Sequence, residues 1–198
     1  MDDRDWIFLV ILACAIYILT REYKMVWWPS SSGRMYYVKD LPDKQRAADH
    51  LEALETRMKS FLEKARQLFP DDPRLRRIQD RWTGSLSEVE NIKDNVAYSL
   101  GKRAIHICVR EKSGRLTDMN TSVFVLLHEL AHVSSTTYGH DTQFWTNMKF
   151  LVELADRVGS YTYVDYDDHP GMLCGKKVGS NPLSCVKDKT CDSELTKK

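Results

Sequence analysis

Val123-Phe124-Val125-Leu126-Leu127-His128-Glu129-Leu130-Ala131-His132 is the stretch that decides how this chain is read. Its apolar run and spacing predict a helix from about Thr121 to Ser134, with Asp118 or Asn120 as its cap. The two histidines stand four residues apart, so they share one helix face, one turn apart. Two imidazole nitrogens at that separation can reach one Zn²⁺. Glu129 sits beside the first of them, placed to take a proton from a water activated by the metal. Five residues of this kind also arise on ordinary amphipathic helices. Here the lead-in is apolar, which points to a largely buried element. An unpartnered His-Glu-His cluster there would be costly, and a metal resolves the cost.

Working outward, a catalytic zinc site needs a third protein ligand and an open position. His140 is the candidate, eight residues after His132 and just past Tyr138-Gly139, where the chain can turn back. Glu153, further downstream, is the rival. Asp141 or Thr142 opens a second helix, with Phe144, Met148, Leu151, Ala155 and Val158 on one face and Gly159 as its stop. Asp141 could also support a ligand from behind. The remaining histidines are weaker candidates. His50 reads as a surface residue, His106 as a strand residue, and His169 before Pro170 as structural.

Upstream, Lys44 to Phe69 places Leu51, Leu54, Met58, Phe61, Leu62 and Ala65 at helical spacing, ended by Pro70-Asp71-Asp72-Pro73. A short helix over Arg74 to Trp82 carries Arg74, Arg76, Arg77 and Arg81, a solvated face or an anion contact. Val96 to Leu100 and Ile105 to Val109, around Gly101-Lys102, read as a β-hairpin. Ile105 to Val109 could then pair with an extended substrate. Tyr161, Tyr163 and Tyr166 lie where an oxyanion-stabilising residue could approach.

Residues 6–20 form the one long uncharged stretch and are expected to be a membrane anchor. Arg21, Lys24, Arg34 and Lys39 follow it, against Arg4 before it, so the C-terminal domain is expected on the cytosolic side. Pro29-Ser30-Ser31-Ser32-Gly33 reads as a flexible linker. Cys108 reads as a small core residue. Cys174, Cys185 and Cys191 could give one disulfide, but a cytosolic domain makes reduced thiols the default. Asn120-Thr121-Ser122 matches a glycosylation sequon, and helix capping explains the asparagine equally well. The 198 residues carry 29 Lys+Arg against 28 Asp+Glu, a balance that argues against a dedicated nucleic-acid binder.

His128-Glu129-Leu130-Ala131-His132, then Gly139-His140-Asp141 and Phe144-Trp145, resembles the zincin metallopeptidases of the WLM and SprT-like groups. It is more similar still to predicted metallopeptidases encoded by large DNA viruses. That likeness includes the hairpin from Tyr98 to Arg110, Asn120-Thr121, and an ending like Tyr166…His169-Pro170…Cys174-Gly175. It covers roughly residues 84–183. One departure is plain: seven residues, 133–139, separate the second and third histidines, where WLM proteins usually have five. The resemblance implies one zinc per chain and hydrolysis of peptide bonds.

The expectation is therefore an α+β, zincin-like domain with a small antiparallel sheet and one N-terminal transmembrane helix. Residues 1–28 would be the anchor, 29–42 a linker, 43–180 the metallopeptidase domain and 181–198 a polar tail. His128, His132 and His140 would hold zinc, with Glu129 as general base. The expected partners are a protein or peptide substrate and a lipid bilayer. The rivals are a catalytically silent zinc-binding interaction protein and a zinc hydrolase acting on other substrates.

Overall fold

The computed structural model describes residues 6–13, 24–91, 96–111, 113–179, 181–188 and 191–195. After a short helical stretch, α1 (residues 6–13), the elements are β1 (Met25–Pro29), β2 (Met35–Lys39), α2 (Lys44–Leu68), α3 (Pro73–Arg81) and β3 (Ser85–Glu88). There follow β4 (Ala97–Leu100), β5 (Ala104–Ile107), α4 (Met119–Ser134), α5 (Thr142–Arg157), β6 (Met172–Leu173), β7 (Lys176–Lys177) and α6 (Ser184–Lys187). Five strands make one sheet in the order β1-β2-β3-β5-β4. It is mixed, not antiparallel: β2 and β5 both run parallel to β3, while β1 and β4 run antiparallel to their neighbours.

The expected membrane helix is overturned. Among the described residues, no helix is long and apolar enough to cross a membrane. The eight helical residues 6–13 span about 12 Å at 1.5 Å per residue, against a hydrocarbon core of about 30 Å. The single-pass anchor over 6–20, and the cytosolic orientation derived from it, fall with that finding. The rest of that stretch, 14–20, lies outside the described residues.

The expected linker is also replaced. Ser30 to Arg34 is the turn of the β1–β2 hairpin, closed by Ser30 N–H donating to Arg34 O at 2.8 Å. Ser31 anchors it to α2 through Asp49, which its N–H reaches at 2.6 Å. Strand β3 was not anticipated either. Only Leu86 in Ser85-Leu86-Ser87-Glu88 is apolar, yet the strand lies between β2 and β5.

The helices follow their sequence signals. In α2 the buried residues Ala47, Leu51, Leu54, Met58, Phe61, Leu62 and Ala65 form one stripe packed on the sheet and on α4. Asp72, Asp118 and Asp141 cap α3, α4 and α5, accepting from the N–H of Arg74, Thr121 and Phe144 respectively. The core runs between sheet and helices, and α4 lies within it, with Val123, Leu126, Leu127, Leu130 and Ala131 fully buried.

The thiols are not reduced. Cys108, just after β5, is joined to Cys174 in the β6–β7 turn, and Cys185 to Cys191. In the stretch expected as a polar tail, 181–198, Asn181, Leu183 and Glu194 are buried, so part of it packs against the domain.

Candidate metal centre

Helix α4 carries His128 and His132 on one face, and the loop after it brings back His140. The ligand nitrogens of the three lie within 4.8 Å of one another. His140 Nε2 is 3.0 Å from His128 Nε2, close to the ~3.3 Å that two nitrogens share on one tetrahedral zinc. Phe144 is the floor: its buried ring lies 4.8, 4.4 and 4.6 Å from the rings of His128, His132 and His140. The opening of α5 thereby fixes all three imidazoles at once.

Burial holds His128 and His132 neutral, with the charges of His132 and His140 adding to the effect at His128, and those of His140 and Lys102 at His132. Their pKa values are pushed down to about 4. Neutral imidazole is the form that offers a lone pair to a metal. Glu129 is 6% exposed. Burial pushes its carboxyl up to about 7, and the backbone N–H and hydroxyl of Ser99 donate to it and partly oppose that rise. A general base with a pKa near neutrality is matched to taking up and returning a proton. The donor set, three convergent imidazoles with an adjoining carboxylate, fits zinc.

Seven residues between His132 and His140 would leave the third ligand loose without support, and this chain supplies it. Gln143 Oε1 accepts from Thr136 N–H at 2.8 Å and from its hydroxyl at 2.9 Å, with Thr137 alongside. Lys102, in the β4–β5 turn, donates through Nζ to Ser135 O at 2.7 Å and Thr137 O at 3.2 Å. Asn147 reaches Ser135 Oγ at 3.0 Å. The arginines of α3 also find their use here. Arg77 donates to Ser134 O, and Arg81 donates to Val133 O and Ser135 O, both at 2.8 Å. They neutralise the carbonyl end of α4. Arg74 and Arg76 instead pair with Asp72 and Asp71.

Other candidates are not brought to the centre. Glu153 accepts from Ser193 Oγ and, at 2.9 Å, from Glu194 N–H. Tyr161 and Tyr166 are buried in packing against Phe124, and Tyr163 donates to Ser184 Oγ at 3.1 Å. His50 is half-buried beside Thr117, not a surface residue, and His106 stacks on Tyr98 at 4.7 Å. Asn120 clasps Thr162, donating to its carbonyl and accepting from its N–H. Strand β5 lies inside the sheet, so it cannot pair with a substrate; the edge next to α4 is β4. Ser99, Gln143 and Lys102 carry no sequence signal, because their roles depend on chain segments far from them or on loop geometry.

Two cavities meet at His128. One, of 180 Å³, lies between Val96 and Ala97 at the start of β4, Val125 and Glu129 of α4, and Leu173 and Val178 of the β6–β7 region. The other, of 370 Å³, lies beyond Phe124 toward Trp145 and Pro182.

The chain is similar to viral proteins. It is 27% identical over 186 residues to "Uncharacterized protein R325" of Acanthamoeba polyphaga mimivirus, covering 88% of this chain and 94% of that protein. It is 42% identical over 71 residues to "Uncharacterized protein 042R" of Invertebrate iridescent virus 3, or 35% of this chain and 45% of the relative. It is 29% identical over 79 residues to "Uncharacterized protein 136R" of Invertebrate iridescent virus 6. No family model and no solved structure matches the chain.

Proposed function

We propose that this chain is a zinc-dependent peptidase. The observation that carries the reading is the convergence of three imidazoles beside a buried carboxylate whose pKa is raised to about 7. His128, His132 and His140 would hold the ion. A zinc there supplies Lewis acidity toward a carbonyl and toward water. Glu129 takes the proton of the attacking water and returns it to the leaving amine. Ser99 keeps the carboxylate aimed while it does so.

The edge strand β4 gives a polypeptide somewhere to lie. Cys108 N–H donates inward to Val96 O at 2.7 Å. The alternation of an antiparallel ladder then turns the backbone groups of Ala97 and the carbonyl of Ser99 to the open side, while the Ser99 N–H is held by Glu129 at the cavity along this edge. An extended substrate can add there as a further strand.

The test uses the full chain reconstituted with zinc, with and without chelator, on a mixed peptide library. Zinc-dependent cleavage is expected. Glu129→Gln should retain zinc and lose hydrolysis by at least ~100-fold. Cleavage indifferent to chelator, or a Glu129→Gln variant as fast as wild type, would sink the reading. Zinc binding without cleavage of any peptide would leave a zinc-holding interaction module.

A further inference from the structure

The larger cavity beside the metal centre has mostly apolar walls. Phe124 and Met148 are buried, Trp145 is 46% exposed, and Pro182 and Gly179 close the far side. Asn181 is the polar residue in the wall besides His128. Its amide is already engaged: Nδ2 donates to Tyr161 OH and to Val164 O, both at 2.9 Å, and Oδ1 accepts from Leu183 N–H at 3.0 Å. A charged or amide side chain entering this space would lose its water with little to replace it. A large apolar side chain would shed water-exposed surface at no such cost. At 370 Å³ the space exceeds what a leucine or phenylalanine needs.

Its position fixes which part of a substrate would use it. His128 lines this cavity and also the one that reaches Glu129 and the open edge of β4. A side chain seated here therefore belongs to a residue flanking the reacting carbonyl of a polypeptide laid along β4. Trp145 forms the outer wall, its ring 6.1 Å from that of His140.

We propose that this cavity is a specificity pocket, and that the site selects polypeptide segments carrying a large apolar side chain, Phe, Leu or Met, next to the bond cut. This rests on the peptidase reading for the cut, but not for the binding. The pocket can be narrowed without strain at Gly179, where an added Cβ meets nothing within 4 Å. Gly179 lines both cavities, so Gly179→Leu adds bulk to this wall while leaving the metal ligands alone.

The experiment uses the zinc-loaded full chain and peptides identical except at one position, which carries Phe, Leu, Met, Ala, Asp or Lys. Mass spectrometry reads the bond cut. Phe, Leu or Met beside that bond should be favoured over Asp at least ~10-fold. Gly179→Leu and Trp145→Ala should each reduce that preference several-fold. A preference for Asp, Lys or Ala, or the same apolar preference in both variants, would overturn the pocket. A second readout needs no catalysis. In the Glu129→Gln variant, Trp fluorescence should report the Phe peptide binding ~10-fold more tightly than the Asp peptide, and an added Trp145→Phe should abolish the response. If wild type cuts nothing but this difference is found, the peptidase reading fails and the pocket stands. Equal affinities would reject the pocket whatever the enzyme does.

Discussion

His140 owes its place to Gln143 and Lys102, which hold opposite sides of the loop leading to it. Residues that orient a ligand typically change metal affinity 10–100-fold when removed. Gln143→Leu should therefore weaken zinc binding by about that factor, read by competition with a chromophoric chelator. In a His140→Ala background the same change should cost little more, because the ligand it positions is already gone. Glu153→Gln, anchored to the tail, should leave zinc binding nearly intact. The opposite ranking of His140→Ala and Glu153→Gln would move the third ligand. Glu129 gives a separate handle. Its carboxyl titrates near 4.5 in the unfolded chain and at about 7 in the fold. The folded state thus holds its proton more tightly, and stability is lost as pH rises from 4.5 through 7. Glu129→Gln removes that loss. The metal-free variant should be more stable than metal-free wild type at pH 8, on the order of 3 kcal/mol. The gap should close as pH falls toward 4.5. Urea unfolding at both ends of that window checks it, and a gap independent of pH would contradict the assigned burial.

Among the elements, the ones with local signals were legible. The α2 stripe, the Asp118 and Asp141 caps, the β4–β5 hairpin and the HExxH face of α4 each follow from a few neighbouring residues. The misreadings share a cause: the interactions that decide them lie far away in sequence. Strand β3 has little apolar content, and its Glu88 is accommodated by Arg110, 22 residues on. The Ser30–Gly33 stretch reads as linker until Asp49 and Glu52 of α2 are seen to receive its serines. Residues 6–20 are apolar enough to suggest a span, but the described helix there is too short for one. The β6–β7 region, which walls one cavity, is fastened by Cys174 to Cys108, 66 residues earlier. Closing a loop of that size restricts the unfolded chain by about 4 kcal/mol in the chain-entropy account. The paired substitution Cys108→Ala and Cys174→Ala should lower stability by a few kcal/mol in urea unfolding. An unchanged midpoint would show that the bond does not hold the wall.

At the scale of the molecule, one buried charge cluster ties the central strands of the sheet to the start of α2. Glu88 of β3 is fully buried and accepts from Arg110 Nε at 3.0 Å and Nη2 at 2.5 Å, and from Lys39 N–H at 2.9 Å. Arg110 also donates to Lys39 O at 3.1 Å and to Asp43 at the start of α2. Strands β2 and β3, the segment after β5 and the first turn of α2 are thus pinned at one point. Burial works against the Lys39 ammonium and lowers its pKa, with Glu88 opposing that, while Glu88 and Asp43 outweigh burial at Arg110 and raise it. Such a cluster adds little compared with a well-packed apolar replacement, but removing one member leaves buried charge without its counterpart. Glu88→Ala should therefore cost about 3–5 kcal/mol, a large part of the roughly 5–15 kcal/mol that holds an ordinary domain together. The exposed Arg76–Asp71 pair is the control. Arg76 and Asp71 are 60% and 90% exposed in their side chains, and Arg76→Ala should change stability by less than ~1 kcal/mol. Glu88 lies far in sequence from the metal ligands, and it acts on them only by holding the sheet whose edge carries Ser99. Loss of zinc binding in Glu88→Ala should accordingly track loss of folded protein, measured by circular dichroism across a urea series. Zinc binding lost while the fold persists would mean that the cluster reaches the site by a route other than the sheet.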